Sequence, residues 1–141
     1  MKILFATDGS SCAQRALNSL ADRLRWFHGS VELTLLNVHP PVPYKQAAAW
    51  AGKEALESYY AEEGAAALKP AADELTARAV PHRLDKRVGE PAPVIVQAAK
   101  EGQFDLIAMG THGHTALENL VMGSVATKVL AHAPVPVLLL R

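Results

Sequence analysis

Short apolar segments alternate with helical patterns along the whole chain of 141 residues, and this alternation constrains the fold more than any other feature. Each apolar segment has the length of a strand, and the helical patterns repeat apolar residues every three or four positions. A strand, helix, strand order requires right-handed crossovers and therefore a parallel sheet with helices on both faces. We predict a single doubly wound α/β domain over residues 1–141, with five parallel strands in the order 3-2-1-4-5.

The predicted elements follow from these patterns and from the residues that interrupt them. The strands cover residues 2–7, 31–38, 82–88, 105–110 and 135–140. The helices cover residues 13–27, 46–79, 91–101 and 124–131. The charged segment 82–88, HRLDKRV, suits an edge strand, and the prolines of HPPVP place a loop after the second strand. Pro91 suits the first position of a helix, where its missing N–H costs nothing.

The charge balance excludes several classes of partner. The chain has 14 lysines and arginines and 14 aspartates and glutamates, so no strong field draws it to nucleic acid or to an anionic membrane. The opening MKILFATDGS has too short an apolar run for a signal peptide or a membrane span. A single cysteine, Cys12, cannot form an internal disulfide, and we expect it to be a packing residue in a cytoplasmic protein.

Three segments that follow predicted strands are expected to meet along one rim of the sheet. They are TDGS at 7–10, NVHPP at 37–41 and GTHGH at 110–114. In parallel sheets of this kind, ligands bind beyond the carboxyl ends of the strands, near the point where the strand order reverses. We therefore expect the ligand site at this rim.

The stretch GTHGHTALENLVMGS, residues 110–124, has the composition of a phosphate site. Gly110 ends a strand, Gly113 follows, and Gly123 and Ser124 open a helix. Glycines permit a close approach of the backbone to an anion and permit positive φ, and a helix N-terminus offers unpaired amides. Ser124 can donate to a phosphate oxygen, cap its helix, or do both. Spacing alone leaves a phosphate cradle and a simple turn both open.

The same stretch resembles a family signature. It begins with GTHG and ends, after nine further residues, with GS. This arrangement resembles the G-x2-G-x9-G-S/T pattern of the nucleotide-binding branch of the universal stress protein family. The segments ILFATDGS, LTLLNVHPP and VATKVLAHAPVPVLLL resemble the first strand, the second strand and the ending of that family. The resemblance is close over 104–141 and loose over 41–100, and it implies an adenine nucleotide alpha-hydrolase-like fold.

The resemblance also implies a ligand and the residues that hold it. The ligand is ATP, with Mg²⁺ where required, or a related adenine nucleotide. Asp8 matches the acidic residue beside the adenosine, and Val38 matches the residue whose backbone meets the adenine. The ribose and phosphate loop is matched by Gly110, Thr111, His112, Gly113, Gly123 and Ser124. Asp8 as a helix N-cap or a turn former is the alternative. His112 stands where the family often has a basic side chain, and an imidazole is cationic only when protonated.

Other chemistries fit the sequence less well. THGH at 111–114 resembles the H/T-x-G-H element of nucleotidyltransferases, but that element follows the first strand of its fold and this one follows the fourth. His112 and His114 lack the further ligands and spacing of a zinc site. A flavin phosphate loop would follow the first strand, where Asp8 would repel the phosphate, so we expect no flavin.

We predict a nucleotide holder or sensor with at most very slow hydrolysis. The P-loop pattern is missing, and Glu118 is the carboxylate that lies near the phosphate loop in sequence. Binding would then act by shifting a conformation or a partner surface. A nucleotide-free interaction module of the same fold is the alternative.

The final segment predicts an assembly. An exposed apolar edge strand aggregates unless another chain covers it. The family resemblance implies that two copies pair there, so we expect a homodimer through Val135 to Leu140. Pro136 has no N–H to donate, so it must face away from the paired side.

Overall fold

The computed structural model describes residues 1–43, 52–113 and 122–141. Its five strands are β1 Lys2–Ala6, β2 Glu32–His39, β3 His82–Val88, β4 Leu106–Gly110 and β5 Val137–Leu140. The helices in these ranges are α1 Ser11–Ala21, α2 Lys53–Ala77, α3 Pro91–Glu101 and α4 Ser124–His132, with a short 3-10 helix at Leu24–Trp26. All strand pairs are parallel and the order is β3-β2-β1-β4-β5, which confirms the predicted fold.

Two apolar layers form the core, one on each face of the sheet. Alternate residues of β1 divide between them, since Ile3 and Phe5 face one layer and Leu4 and Ala6 the other. The first layer packs α1 and α2 on the sheet through Ala16, Leu17, Leu20, Leu68, Ala71 and Leu75. The second packs α3 and α4 through Ala92, Ile95, Ala98, Ala99, Ala126 and Val129. Helices therefore cover both faces of the sheet. The rim formed by the carboxyl ends of the strands lies between the two helical layers.

The first helix is shorter than predicted. It ends at Ala21, and Leu24 lies in a 3-10 turn instead of a continued α-helix. Leu24 and Phe27, whose spacing suggested the longer helix, still pack against the first core layer. Burial of these two residues does not require α-helical geometry, so their periodicity alone could not locate the end of the helix.

The long helix α2 has the narrow buried stripe that its alanine-rich sequence suggests. Its buried residues are Gly64, Leu68, Ala71 and Leu75, and Pro70 lies inside the helix. Gly64 faces β3 closely, since a Cβ there would lie 3.0 Å from Lys86 Cδ. The predicted start of this helix at residue 46 lies outside the described residues.

Strand β3 is an edge strand, as its charges suggested. Arg87 Nη1 lies 2.6 Å from Glu101 Oε2 and ties β3 to α3. Gln97 donates to Glu101, and together with Arg87 this hydrogen bond holds the pKa of the Glu101 carboxyl below its usual range. None of the helices that the structure describes is long and apolar enough to cross a membrane.

Strand β5 lies at the other edge and begins after Pro136. The Pro136 carbonyl accepts from Ile107 N–H at 3.1 Å, so this residue directs its backbone polar groups toward β4. The missing N–H of Pro136 therefore falls on the side of β4 and does not interrupt the open edge.

Candidate functional site

A cavity of about 480 Å³ lies at the carboxyl ends of β1, β2 and β4, where the strand order reverses. Its size falls within the range of roughly 300–1,000 Å³ for small-molecule sites. All eight residues predicted for the nucleotide line it: Asp8, Val38, Gly110, Thr111, His112, Gly113, Gly123 and Ser124. Tertiary structure thus gathers residues that lie up to 116 positions apart, from 8 to 124, and their role in binding stays a prediction.

The loop between β1 and α1 is held by its own side chains. Asp8 Oδ1 accepts from Ser10 N–H at 2.9 Å, and Ser10 Oγ accepts from Ala13 N–H at 3.1 Å. Gly9 has a φ of 78°, which glycine adopts without strain, and a Cβ there would lie 3.1 Å from the Ala67 backbone. Ser10 is therefore the N-cap of α1. Asp8 forms the turn before it and also lines the cavity.

Gly113 brings the two halves of the site together. A Cβ on Gly113 would collide with Asp8 Oδ2. The loop after β4 therefore passes directly over the carboxylate that follows β1. A residue with any side chain at 113 would displace this carboxylate, which Ser10 N–H holds through its other oxygen.

Backbone hydrogen bonds close the loop that follows β4. Thr111 N–H donates to the Leu140 carbonyl at 3.0 Å, and Gly123 N–H donates to the Thr111 carbonyl at 2.7 Å. The second bond joins the two ends of the segment 111–123. The start of α4 therefore lies beside the end of β4. This closure places Gly123 next to the strand end that carries Gly110 and Thr111.

Close approach, and not positive φ, explains the glycines of this loop. Gly110, Gly113 and Gly123 are not among the residues with positive φ. A Cβ would lie 3.2 Å from the His112 carbonyl oxygen at Gly110 and 3.3 Å from the Thr111 carbonyl oxygen at Gly123. Side chains here would crowd the loop's own backbone, whatever ligand is bound.

The N-terminus of α4 opens onto the cavity without a side-chain cap from the described residues. Gly123 is the N-cap residue and Ser124 is the first helical residue, so the possible role of Ser124 as the cap is wrong. Gly123 is extended and its carbonyl accepts from Thr127 N–H at 3.0 Å, which is the N-cap geometry. The first N–H groups of a helix have no intrahelical partner and carry a partial positive charge. This end of α4 can therefore receive an anion.

The end of β2 supplies the opposite wall. Asn37, Val38 and His39 line the cavity. The His39 ring lies 5.5 Å from the Tyr59 ring and 5.4 Å from the Tyr60 ring between centroids. Tyr60 Oη accepts from Val42 N–H at 2.8 Å, which anchors the proline-rich loop to α2.

Sequence reasoning missed part of the lining. Asn37 had a signal, since it is a polar residue inside an apolar strand. Glu63 and Ala67 had none, because they reach the rim through the tertiary packing of α2, which brings Ala67 against Gly9. Ile95, Met109 and Val125 also line the cavity and were not predicted, whereas Thr7 and His39 lie in the segments TDGS and NVHPP that were expected at this rim.

Two residues weighed from the sequence, His114 and Glu118, lie outside the described residues. His112 Nδ1 lies 2.9 Å from Thr111 Oγ1, and the donor depends on the tautomer. Across 1–43, 52–113 and 122–141, no three histidine, cysteine, aspartate or glutamate side chains are grouped so that they could hold a metal ion.

Comparison with known proteins agrees with this geometry. The model of the universal stress protein family matches residues 1–141. A universal stress protein of Thermus aquaticus is 38% identical, over 99% of this chain and 97% of its own. A universal stress protein of Methanocaldococcus jannaschii is 33% identical, over 99% of this chain and 81% of its own.

Solved structures share the fold over nearly the whole chain. Hypothetical protein MJ0577, whose biochemical function was assigned from its structure, superposes with a TM-score of 0.79 at 28% identity, covering 99% of this chain and 94% of its own. A universal stress protein in complex with cAMP has a TM-score of 0.68 at 21% identity, covering 100% and 96%. A family protein of Arabidopsis thaliana with AMP bound has a TM-score of 0.70 at 18% identity, covering 99% and 90%.

Proposed function

Because the chain belongs to the universal stress protein family, we propose that it binds an adenine nucleotide, ATP first among them, in the cavity at the carboxyl ends of β1, β2 and β4. One observation carries the proposal: the N-terminus of α4, which no side chain of the described residues caps, and the three closely packed glycines border the same cavity as Asp8 and Val38. Other proteins of this fold hold cAMP or AMP.

The phosphates occupy the end formed by α4. Backbone amides at a helix N-terminus and a glycine loop suit an anion, because they donate hydrogen bonds without a side chain in the way. Ser124, the first residue of α4, adds a hydroxyl at the cavity wall. Glycine at 113 keeps the space between this loop and Asp8 free of a side chain.

The adenosine occupies the end formed by β1 and β2. Asp8 accepts from a ribose hydroxyl or an exocyclic amine, and the Val38 backbone meets the adenine. The apolar lining from Leu36, Ile95, Met109 and Ala126 suits the faces of a base.

Asp8 and Glu63 both line the cavity, and their negative charge opposes a bare triphosphate. We therefore propose that ATP binds as its Mg²⁺ complex, in which the metal offsets phosphate charge. The protein acts as a holder or sensor in a stress response, with at most very slow hydrolysis, and occupancy biases a conformation or a partner surface.

Assembly belongs to the same proposal. Two copies pair along β5 at the open edge of the sheet and form a closed homodimer. From the sequence, we also expect the protein to be located in the cytoplasm.

The first experiment is calorimetric titration of nucleotide-stripped protein with Mg·ATP, ADP, AMP and cAMP. The stripping eluate is run on a chromatograph for adenine nucleotides that were carried through purification. Saturable binding, or a co-purified nucleotide, is the expected result. No heat and no carried-over nucleotide would contradict nucleotide binding and leave the alternative, a nucleotide-free interaction module.

A further inference from the structure

We propose that Asn37 is a positioning residue for the adenosine half of the site, an inference that rests on the proposed nucleotide binding. Asn37 lies on β2 between Leu36 and Val38 and is 5% exposed. A buried amide costs free energy unless it is hydrogen-bonded, so a polar residue in this apolar strand needs a reason.

The buried polar residues of the described chain are concentrated at one corner. They are Thr7, Ser10 and Asn37, and all three lie at the rim where β1 and β2 end. Each makes a hydrogen bond that shapes the β1–α1 loop. Thr7 Oγ1 accepts from Gly9 N–H at 3.2 Å, Ser10 Oγ accepts from Ala13 N–H, and Asn37 Nδ2 donates to the Thr7 carbonyl at 3.0 Å.

The bond from Asn37 continues the pairing of β1 and β2 past the end of β1. The ladder pairs Ala6 with Leu36, and Thr7 N–H then donates to the Leu36 carbonyl at 2.9 Å. Beyond this point the loop turns toward α1. The Asn37 side chain donates to the carbonyl of Thr7, 30 positions earlier in the sequence. A side chain thus supplies the hydrogen bond that a backbone N–H would supply inside the sheet.

Fixing the Thr7 carbonyl fixes the position of Asp8. The peptide group is planar, so the Thr7 carbonyl and the Asp8 amide share one plane. Asn37 is also the direct neighbour of Val38. One side chain therefore sets the spacing between the two residues proposed to contact the ribose and the adenine. A ligand that bridges them loses affinity when that spacing relaxes.

A purely structural role predicts something different. If Asn37 only satisfied a buried carbonyl, its loss would lower stability and leave the affinity of the folded protein unchanged. A positioning role lowers affinity in the folded protein. It also lowers the affinity for adenosine, AMP and Mg·ATP by a similar factor, because the contacts proposed for Asp8 and Val38 are to the ribose and the adenine, which all three ligands share.

The experiment compares Asn37→Asp, Asn37→Leu and wild type by titration with adenosine, AMP and Mg·ATP. Leucine and ionised aspartate both lack the donor and keep the number of side-chain heavy atoms, so one variant serves if the other does not fold. Leu33→Ala is the matched control. Leu33 is buried at the other end of the same strand, so its truncation destabilises the fold without changing a residue next to Thr7. The affinity is measured well below each variant's melting temperature.

We expect both Asn37 variants to bind all three ligands about tenfold more weakly, and Leu33→Ala to bind like wild type. At lower pH the Asn37→Asp carboxyl becomes protonated and can donate to the Thr7 carbonyl. The affinity of Asn37→Asp should then approach that of wild type, whereas the affinity of Asn37→Leu should stay low. Wild-type affinity in the Asn37 variants would overturn the inference, as would a deficit that grows with the number of phosphates or an equal deficit in Leu33→Ala. Absence of binding by wild type would instead contradict the proposed function itself.

Discussion

At the scale of single residues, Gly113 and Asp8 form the contact on which the site depends. They come from loops after different strands, and the collision of a Cβ on Gly113 with Asp8 Oδ2 shows how closely these loops approach. Asp8 cannot move freely to make room, because Ser10 N–H holds its other oxygen at 2.9 Å. A change at 113 is therefore expected to act on both the adenosine half and the phosphate half of the proposed site.

We predict that Gly113→Arg leaves the fold intact and lowers the affinity for Mg·ATP by about a hundredfold or more, which corresponds to about 2.7 kcal/mol. The side chain fills the space that the phosphates need and displaces Asp8. Calorimetric titration measures the affinity, and circular dichroism with thermal melting checks the fold.

Gly29→Arg is the matched control for Gly113→Arg. It adds the same charge at a glycine where an added Cβ would meet no heavy atom of the described residues within 4 Å, and its cost is limited to the strain of a φ of 81°. We expect its affinity to equal that of wild type. Unchanged affinity in Gly113→Arg would refute the assignment of this loop to the phosphates.

At the scale of secondary-structure elements, α1 and α4 both begin at the ligand rim but differ in how they begin. The N-terminus of α1 is capped by Ser10 Oγ, whereas no side chain in the described part of the molecule caps α4. A capped end has one of its orphan amides satisfied internally, and an uncapped end keeps them available. The cap on α1 therefore stabilises the loop that carries Asp8, and the N-terminus of α4 is the end at which we propose that the phosphates bind.

We predict that Ser10→Ala lowers the free energy of unfolding by about 1 kcal/mol, because Ala13 N–H loses its buried partner. Urea denaturation monitored by circular dichroism measures the change. Ser11→Ala, one position along and exposed, is the control and should differ little from wild type. Equal stability of Ser10→Ala and wild type would mean that the cap contributes nothing.

The tie between α3 and β3 gives a pH dependence. The pKa of Glu101 is lowered by the hydrogen bond from Gln97 and by Arg87. A lowered acid pKa means that the folded state binds its proton less readily than the unfolded state. Its contribution to stability is therefore present above the ordinary glutamate pKa of about 4.3 and is lost as the pH falls through the lowered value.

We predict that Glu101→Gln melts slightly below wild type at neutral pH and that this gap closes as the pH falls through the lowered pKa of Glu101. Thermal melts over a pH series measure it. Glu57→Gln, which removes the same charge from an exposed pair with Lys53 on α2, is the control. A gap that stays constant with pH would contradict the role given to the ionised carboxylate.

At the scale of the whole molecule, β5 leaves one edge of the sheet open. The carbonyls of Pro136 and Leu140 accept from Ile107 and Thr111, so these residues face β4. Successive residues of a strand direct their backbone groups to opposite sides, which turns Val137 and Leu139 toward the open edge. Among the described residues their N–H and C=O groups have no backbone partner, and we propose that a second copy supplies one.

We predict that the protein sediments at micromolar concentration with twice its chain mass of 15.1 kDa. Leu139→Pro removes a donor from the open edge without removing one that faces β4, and it should give a folded monomer. Sedimentation equilibrium measures the mass, and circular dichroism checks the fold. A monomeric wild type would contradict the dimer.

The fold and much of the candidate site could be predicted from the sequence because their signals are local. Neighbouring residues reveal the apolar runs that become β1, β2, β4 and β5, and the prolines at element ends. The alternation of these runs with helical patterns predicted the parallel sheet that the structure confirms. The glycines could be named for the same reason, whereas the role of Asp8 was implied by the resemblance to the family signature. The helix end at Ala21 could not, because Leu24 and Phe27 pack partly buried against the core without being α-helical.

Tertiary structure alone decided how these parts meet. The contact of Gly113 with Asp8, the approach of α2 to Gly9 and the bond from Asn37 to Thr7 all join residues far apart in sequence. Such contacts depend on the twist and packing of the whole sheet and leave no periodic signal in either segment. The sequence by itself determined which residues could line a nucleotide site, and the packing of the layers determined the distances between them, because those distances are set by elements that the chain brings together only on folding.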